Sequence, residues 1–235
     1  MTQGPAPGVL AAAQAYRLWA PTYDAESAFS AIEEEGVRTH SPAPAPGTRL
    51  LDAGCGTARR LAGAVARGAS GVGIDLVPEM LREGWRRHGP LPMAAASLHA
   101  LPLRSAAFDL LWCRLALGHL ERIEPAYREL ARVAAPGATL VVTDFHPAAA
   151  DAGFARSFTD AAGAEHAVQH FRHDVAEHRA AAHAAGLVLR AAVDLTVGPA
   201  ARPYYEAAGR GRRYLEQCGR PMVLLLRFER SLPGA

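Results

Sequence analysis

The stretch Leu50-Leu51-Asp52-Ala53-Gly54-Cys55-Gly56-Thr57-Ala58 restricts the fold of this chain more than any other. An apolar run stops at a glycine turn, and helical spacing begins directly after it, over Thr57–Arg67. Such a turn lets backbone approach a ligand closely and aims helix N–H groups at it. A dinucleotide fingerprint of the form G-x-G-x-x-G/A needs a small residue at its last place, which is Arg59 here. Asp52, two residues before the first glycine, would also repel a pyrophosphate. An acid there suits a ligand with cationic groups, and S-adenosylmethionine (SAM) carries an ammonium and a sulfonium. Asp75 ends the next apolar run, Gly71–Asp75, where a carboxylate can accept hydrogen bonds from both hydroxyls of a ribose.

The remaining periodicity predicts a parallel sheet. Arg49–Ala53 reads as a strand, Pro78 to about Arg87 as a helix with Pro at its first position, and Met93–Ser97 as a short third strand. Phe108–Cys113 and Thr139–Phe145 are near-continuous apolar runs, as strands buried on both faces should be. The helix between them, Glu124–Val133, stops at Pro136-Gly137. Repeated strand–helix order predicts a doubly wound, mostly parallel α/β sheet with right-handed crossovers.

The pattern changes after Phe145. Arg156–Phe171 alternates around Asp160–Gly163 and reads as a hairpin. A helix over about 174–185 stops at Gly186, and a strand Leu187–Leu195, a helix over 203–217 and a strand Met222–Arg230 complete seven strands. Ahead of the sheet, a helical arm (about 10–36) is joined by Ser-Pro-Ala-Pro-Ala-Pro-Gly at 41–47, a stiff extended linker. The expected division is an arm or lid with its linker over 1–47 and a cofactor-binding domain over 48–235, with an insertion at about 147–171.

Composition excludes several classes. Half of the 235 residues are hydrophobic and 20% are charged, enough for a core and against global disorder. A net charge of +2 argues against a nucleic-acid binder. The chain has no Lys and no Asn, which reads as GC-rich coding bias. Cys55, Cys113 and Cys218 lack CxxC spacing, so no disulfide framework or zinc knuckle is indicated, and all three read as core residues. No apolar run approaches the roughly 18 residues of a membrane span, and the apolar patch Val9–Ala13 follows no basic residue, unlike a signal peptide. The expectation is a soluble, cytoplasmic protein with no membrane partner, its oligomeric state open.

Leu50–Ala58, Gly71–Leu76, Leu101-Pro102-Leu103 with Phe108-Asp109, and Arg128–Asp144 resemble, in order, the successive motifs of class I SAM-dependent methyltransferases. The small-molecule branch, called type 11 or UbiE-like, is the nearest match, and Tyr16–Asp24 resembles its lid. The resemblance covers most of the chain, and the order and spacing of its motifs carry it. It implies a Rossmann-like methyltransferase fold and SAM as cofactor, with S-adenosylhomocysteine as product. It also implies a cofactor site formed by Tyr23, Asp52, Gly54, Cys55, Gly56, Asp75, Leu76, Ser97, Leu98 and Arg114. Two departures stand out. The family's third glycine is Ala58, tolerable because Ala is small, and the acid often found after the third strand is Ser97.

Cys55 between two glycines reads as a small buried residue rather than a nucleophile. Half of the 10 histidines lie at His166, His170, His173, His178 and His183. His178 and His183 are not spaced to share a helical face and no further ligand completes a set, so no metal is expected and the bland reading is solvated histidines. His170 and His173, near the sheet's carboxyl edge, are candidates for the substrate pocket together with Tyr204. His146, directly after the strand Thr139–Phe145, is the first candidate for a general base, with Asp144 sharing its strand parity as a possible orienting partner. His119, in Leu117-Gly118-His119-Leu120, is the second.

The functional expectation is methyl transfer to a small molecule, with oxygen favoured as acceptor because a His base suits removal of its proton. The rival readings are C- or N-methylation, or a protein of the same fold that binds SAM without transferring methyl. Cys113-Arg114-Leu115-Ala116 lacks the Asn/Asp-Pro-Pro-aromatic motif of base methylation, which argues against a nucleic-acid substrate.

Overall fold

The computed structural model describes residues 8–232. Its element order is β1 (Val9–Leu10), α1 (Ala12–Trp19), α2 (Ala28–His40), β2 (Arg49–Ala53), α3 (Arg59–Ala66), β3 (Ser70–Asp75), α4 (Pro78–His88), β4 (Met93–Ala95), β5 (Phe108–Arg114), α5 (Glu124–Val133), β6 (Ala134–Phe145), α6 (Pro147–Asp151), β7 (Ser157–Thr159), β8 (Glu165–Val168), α7 (Val175–Ala184), β9 (Leu187–Thr196), α8 (Arg202–Ala207), α9 (Gly211–Gln217) and β10 (Pro221–Arg230). Seven strands form one sheet in the order β4-β3-β2-β5-β6-β10-β9, parallel except where β10 runs antiparallel to both neighbours. This is the doubly wound, mostly parallel sheet that the periodicity predicts.

Strand alternation sends adjacent residues to opposite faces, and both faces are covered. Leu51, Leu111, Cys113, Leu140 and Val142 join the core beneath α5 and α7, while Leu50, Leu110, Trp112 and Val141 pack on the other side with Leu61 and Ala64 of α3. Fully buried Tyr127 and Phe228 meet edge to face at 5.6 Å in the first core. Asp174 caps α7 reciprocally with Glu177, and Ser27 caps α2 with Ser30.

Three local readings change. Residues 203–217 form two helices, since the chain turns at Gly209 with φ +67° and restarts as α9. Strand β6 begins at Ala134, with its pairing to β5 shifted around Pro136-Gly137 rather than stopped there. Cys218 is exposed at the end of α9, not a core residue, whereas Cys55 and Cys113 are buried.

The arm and the insertion meet over the sheet's carboxyl edge. β7 and β8 pair antiparallel as the expected hairpin, and β1 adds in parallel to β8, making a second, three-stranded sheet. Ala15, Phe158 and Val168 are buried between them, with Trp19 stacked on Phe158 at 4.8 Å. Two residues are too short a strand for periodicity to reveal, so β1 has no signature in the sequence.

Candidate active site

The topological switch lies between β2 and β5, where open α/β sheets bind ligands. The Gly54 and Cys55 N–H groups both donate to the Ile74 carbonyl, at 2.7 and 2.9 Å. A Cβ placed on Gly54 would stand 2.6 Å from that of Ala116, so this turn abuts the loop after β5 and excludes any side chain. The Gly56 N–H donates to Asp75 Oδ2 and the Val77 N–H to Oδ1, both at 2.8 Å. Asp75 therefore ties the end of β3 to the glycine turn and also closes the turn that leads into α4, while each oxygen keeps a lone pair free. Burial pushes its carboxyl above the usual range, and the Val77, Gly56 and Leu76 N–H groups oppose that shift.

Asp52 sits beside this cradle, 3% exposed, and among the described residues its side chain takes part in no hydrogen bond. Burial pushes its carboxyl up to about 6, against the pull of Arg60 and Arg114. A buried carboxylate in this state gains from an incoming cation, while exposed Leu76 offers apolar surface next to Asp75. These residues fit SAM: a cation-seeking acid, a ribose-ready carboxylate and close backbone approach. When bound, SAM supplies the activated methyl group. Ala58 fits by size but holds a left-handed backbone, φ +56°, so its place in the motif makes a conformational demand as well. Ser97 Oγ accepts from the His99 N–H at 3.1 Å, and Leu98 packs against the core. The Cys55 thiol is pushed well up by burial and by Asp52 and Asp75, which removes the thiolate a nucleophile needs.

Arg114 departs from the expectation that it touches cofactor. Its guanidinium grips fully buried Glu33 of α2 at 2.7 and 2.6 Å and reaches Glu34 at 2.8 Å. Arg60 and the Thr143 hydroxyl bond the same Glu33 carboxylate, both at 2.8 Å. Its donors hold the arm on the sheet, and no sequence pattern signals a contact spanning 81 residues.

The histidines sort differently from their reading in the sequence. His146 is the N-cap of α6: Nδ1 accepts from the Ala148 N–H at 3.1 Å, and Nε2 donates to Asp194 on β9, also at 3.1 Å. Both ring nitrogens are engaged away from the glycine turn, so the structure does not support His146 as the base. Asp144 turns to His170 instead, with Oδ1 accepting from Nε2 at 3.0 Å and from the Phe145 N–H at 2.7 Å. Burial opposes ionisation of Asp144, but His170 and nearby His178 hold its carboxyl well below the usual range. An acceptor-only carboxylate fixes the His170 proton on Nε2, and among the described residues Nδ1 has no partner.

His119 is enclosed. Its Nδ1 donates to the Gln169 carbonyl at 3.0 Å, which leaves Nε2 to accept from the Tyr16 hydroxyl at 2.8 Å. Burial and then Arg156 lower it to about 4, so it is neutral at physiological pH. His173 is buried and donates to the Leu120 carbonyl at 2.8 Å, a loop anchor rather than a pocket wall. His178 is fully buried and accepts from Tyr127 at 2.9 Å, so it is not solvated. No three His, Cys, Asp or Glu converge as a metal site among the described residues.

A cavity of about 850 Å³ opens between arm, hairpin and α8, with Tyr23, Cys55, Phe145, Arg156 and Tyr204 in its wall. The Tyr204 hydroxyl donates to Glu26 at 2.7 Å. Tyr16 and Arg156 are the residues that sequence reasoning passed over: Arg156 Nη2 donates to the Tyr16 oxygen at 3.3 Å. Tyr16 lies within the lid-like stretch, whereas Arg156, just ahead of the hairpin, belongs to no motif and carries no signal.

The Methyltransferase domain family matches residues 51–142, β2 through most of β6. The chain is 32% identical over 138 residues to a malonyl-[acyl-carrier protein] O-methyltransferase of Enterobacter lignolyticus, covering 57% of this chain and 53% of that protein. It is 34% identical over 100 residues to a demethylmenaquinone methyltransferase of Streptomyces griseus, covering 43% and 44%. The chain spans about half the length of these relatives. Among solved structures, a SAM-dependent methyltransferase from Mesorhizobium loti superposes with a TM-score of 0.66 at 24% identity, over 87% of this chain and all of that one. The [4+2]-cyclase SpnF shares the fold at a TM-score of 0.62 and 19% identity, over 98% of this chain and 100% of its own.

Proposed function

We propose, from the premise that residues 51–142 belong to the class I SAM-dependent methyltransferase family, that this chain transfers methyl from SAM to an oxygen of a small molecule. The observation that carries this reading is unpartnered, buried Asp52 beside the Gly56–Asp75 cradle at the switch point of the sheet. Asp75 would take the ribose hydroxyls, and the Gly54–Gly56 backbone would lie against the amino-acid portion. His170 takes the role of base that the sequence suggested for His146. Asp144 orients its ring, and Nδ1 receives the proton of the acceptor hydroxyl. Arm and hairpin exclude water from the cavity.

Calorimetry with SAM, followed by detection of S-adenosylhomocysteine after incubation with hydroxylated acceptors, tests the proposal. SAM should bind, and Asp75→Ala should weaken it by about 1.5–3 kcal/mol through lost charge-assisted hydrogen bonds. Stabilisation by NAD rather than SAM, or an acceptor rearranged while SAM stays intact, would refute methyl transfer. His170→Ala should lower kcat roughly 10²–10⁴-fold with SAM affinity retained, the usual effect of removing a positioned base. Wild-type turnover would exclude His170.

A further inference from the structure

Arg156 is 9% exposed, lines the cavity, and has no carboxylate partner among the described residues. Among the described residues its one side-chain hydrogen bond goes to the Tyr16 oxygen, and its guanidinium lies over the rings of Phe29 and Trp19 at 4.8 and 5.9 Å. A buried charge is ordinarily paired, because removing it from water is costly. The other charged groups of the same wall sharpen the contrast. Asp24 pairs with Arg87, Glu26 with Arg59 and Asp160 with His166, while Arg60 pairs with Glu33 and Glu34. Asp24 and Glu26 are thus paired with arginines and Asp160 is hydrogen-bonded to His166, whereas no carboxylate among the described residues pairs with Arg156. Two exposed arginines at the same cavity, Arg210 and Arg213, also lack carboxylate partners among the described residues.

We infer that the acceptor carries a carboxylate, separate from the oxygen that is methylated, and that the free donors of Arg156 bind it. This deepens the methyltransferase reading and rests on it for the word acceptor. A planar guanidinium presents a fork of donors that matches a carboxylate in two-point fashion. Phe29 and Trp19 hold that fork in place, and Tyr16 fixes one of its nitrogens. Unlike Arg210 and Arg213, Arg156 is buried and lies against aromatic rings, which favours a singly charged group on an apolar body. Arg210 and Arg213 would draw the anion towards the opening.

The test uses matched pairs of aromatic hydroxy acids and their hydroxy amides, together with phenyl phosphate, at pH 7. Binding to the full chain is followed by calorimetry and thermal shift, with and without S-adenosylhomocysteine. The acids should bind roughly 10- to 100-fold tighter than their amides, the range expected when a charged hydrogen-bond pair replaces a neutral one. Arg156→Gln should erase that preference, Arg156→Lys should keep part of it, and Arg213→Gln should leave most of it. S-adenosylhomocysteine affinity in the Arg156 variants should stay within about twofold. If Arg156→Gln does not fold, Arg156→Lys alone decides through the reduced preference. Equal binding of acids and amides, binding of neither, or a preference that survives Arg156→Gln overturns the inference. Tighter binding of phenyl phosphate than of every acid overturns the singly charged class. Failure of the methyltransferase reading is seen separately, as absent SAM binding or absent transfer, because the acid–amide comparison needs no turnover.

Discussion

Asp52 sets stability against function at a single residue. Its carboxyl rises from an unfolded value near 3.8 to about 6, with burial as the leading cause. A raised folded value means that the folded state holds the proton more tightly, so ionised Asp52 costs stability above pH 6 and the cost fades as pH falls towards 4. Asp52→Asn should therefore stabilise the cofactor-free protein by about 1–2 kcal/mol at pH 7, with the difference from wild type closing near pH 4. The same change should weaken SAM, and wild-type affinity for SAM should fall as pH drops below 6 because protonation removes the attracting charge. Chemical denaturation and calorimetry across pH check both signs. A variant less stable than wild type with unchanged SAM affinity would mean that Asp52 serves packing alone. Gly118 makes a second demand of this kind. A Cβ there would stand 2.0 Å from His170 Nε2 and 2.4 Å from Asp144 Oδ1. Gly118→Ala should split that pair and lower kcat towards the level of His170→Ala, with SAM affinity changed less. Turnover equal to wild type would show that the pair is not needed.

At the scale of elements, α2 depends on one buried ion cluster. Burial pushes the Glu33 carboxyl up, but Arg114, Arg60 and the hydrogen bonds from Arg114 and Thr143 outweigh it and hold it at about 2. A folded value below the unfolded one gives stability that is present above pH 4.5 and lost as pH falls from there towards 2. Glu33→Gln leaves Arg114 with a buried charge less well matched, and should cost about 3–5 kcal/mol. Replacing both partners by apolar residues, Glu33→Leu with Arg114→Met, should recover part of that loss, measured as a double-mutant cycle in urea. Additive losses would place the cluster's value elsewhere. This cluster also marks where the sequence stopped being legible. β2, β3, β5 and the hairpin were readable because apolar runs, Asp160–Gly163 and the glycine turn are local signals. Asp52, Gly54, Gly56 and Asp75 stand out by the same local logic, since they follow one another along a strand–turn–helix unit and its neighbour, and the structure brings Gly56 and Asp75 into contact. The contacts of Arg114, His146 and His170 are not legible locally, because their partners, Glu33, Asp194 and Asp144, lie on other elements, and a side chain's direction at a strand end is decided by those partners. Strand parity put Asp144 with His146, but the chain leaves the strand at His146 to cap α6.

Across the whole molecule, two segments far apart in sequence close one edge of the sheet. The Ala167 and Gln169 N–H groups of the insertion donate to the Gly8 and Leu10 carbonyls of the arm, at 3.3 and 2.8 Å. Tyr16 joins the arm to His119 and to Arg156 of the hairpin, and Trp19 stacks on Phe158. Neither segment has a large core of its own, since the buried set between them is Ala15, Phe158 and Val168. Elements with few buried contacts open more readily than the central sheet, and contacts shared between them make opening cooperative. Tyr23, shortly after α1 on the same arm, stands against Gly56 of the glycine turn, so a ligand bound at that turn and touching Tyr23 would bias the entire assembly. Hydrogen exchange should therefore show Ala167, Gln169 and the α1 amides exchanging faster than β5 and β6 in the free protein. On binding S-adenosylhomocysteine, α1 and the hairpin should gain protection together. Leu10→Pro, which keeps the carbonyl but disfavours pairing around it, should uncouple them: α1 would still respond to ligand and the hairpin would respond less. Protection gained by α1 alone in the wild-type chain would show that the hairpin moves independently and that the cavity between them is closed from one side only.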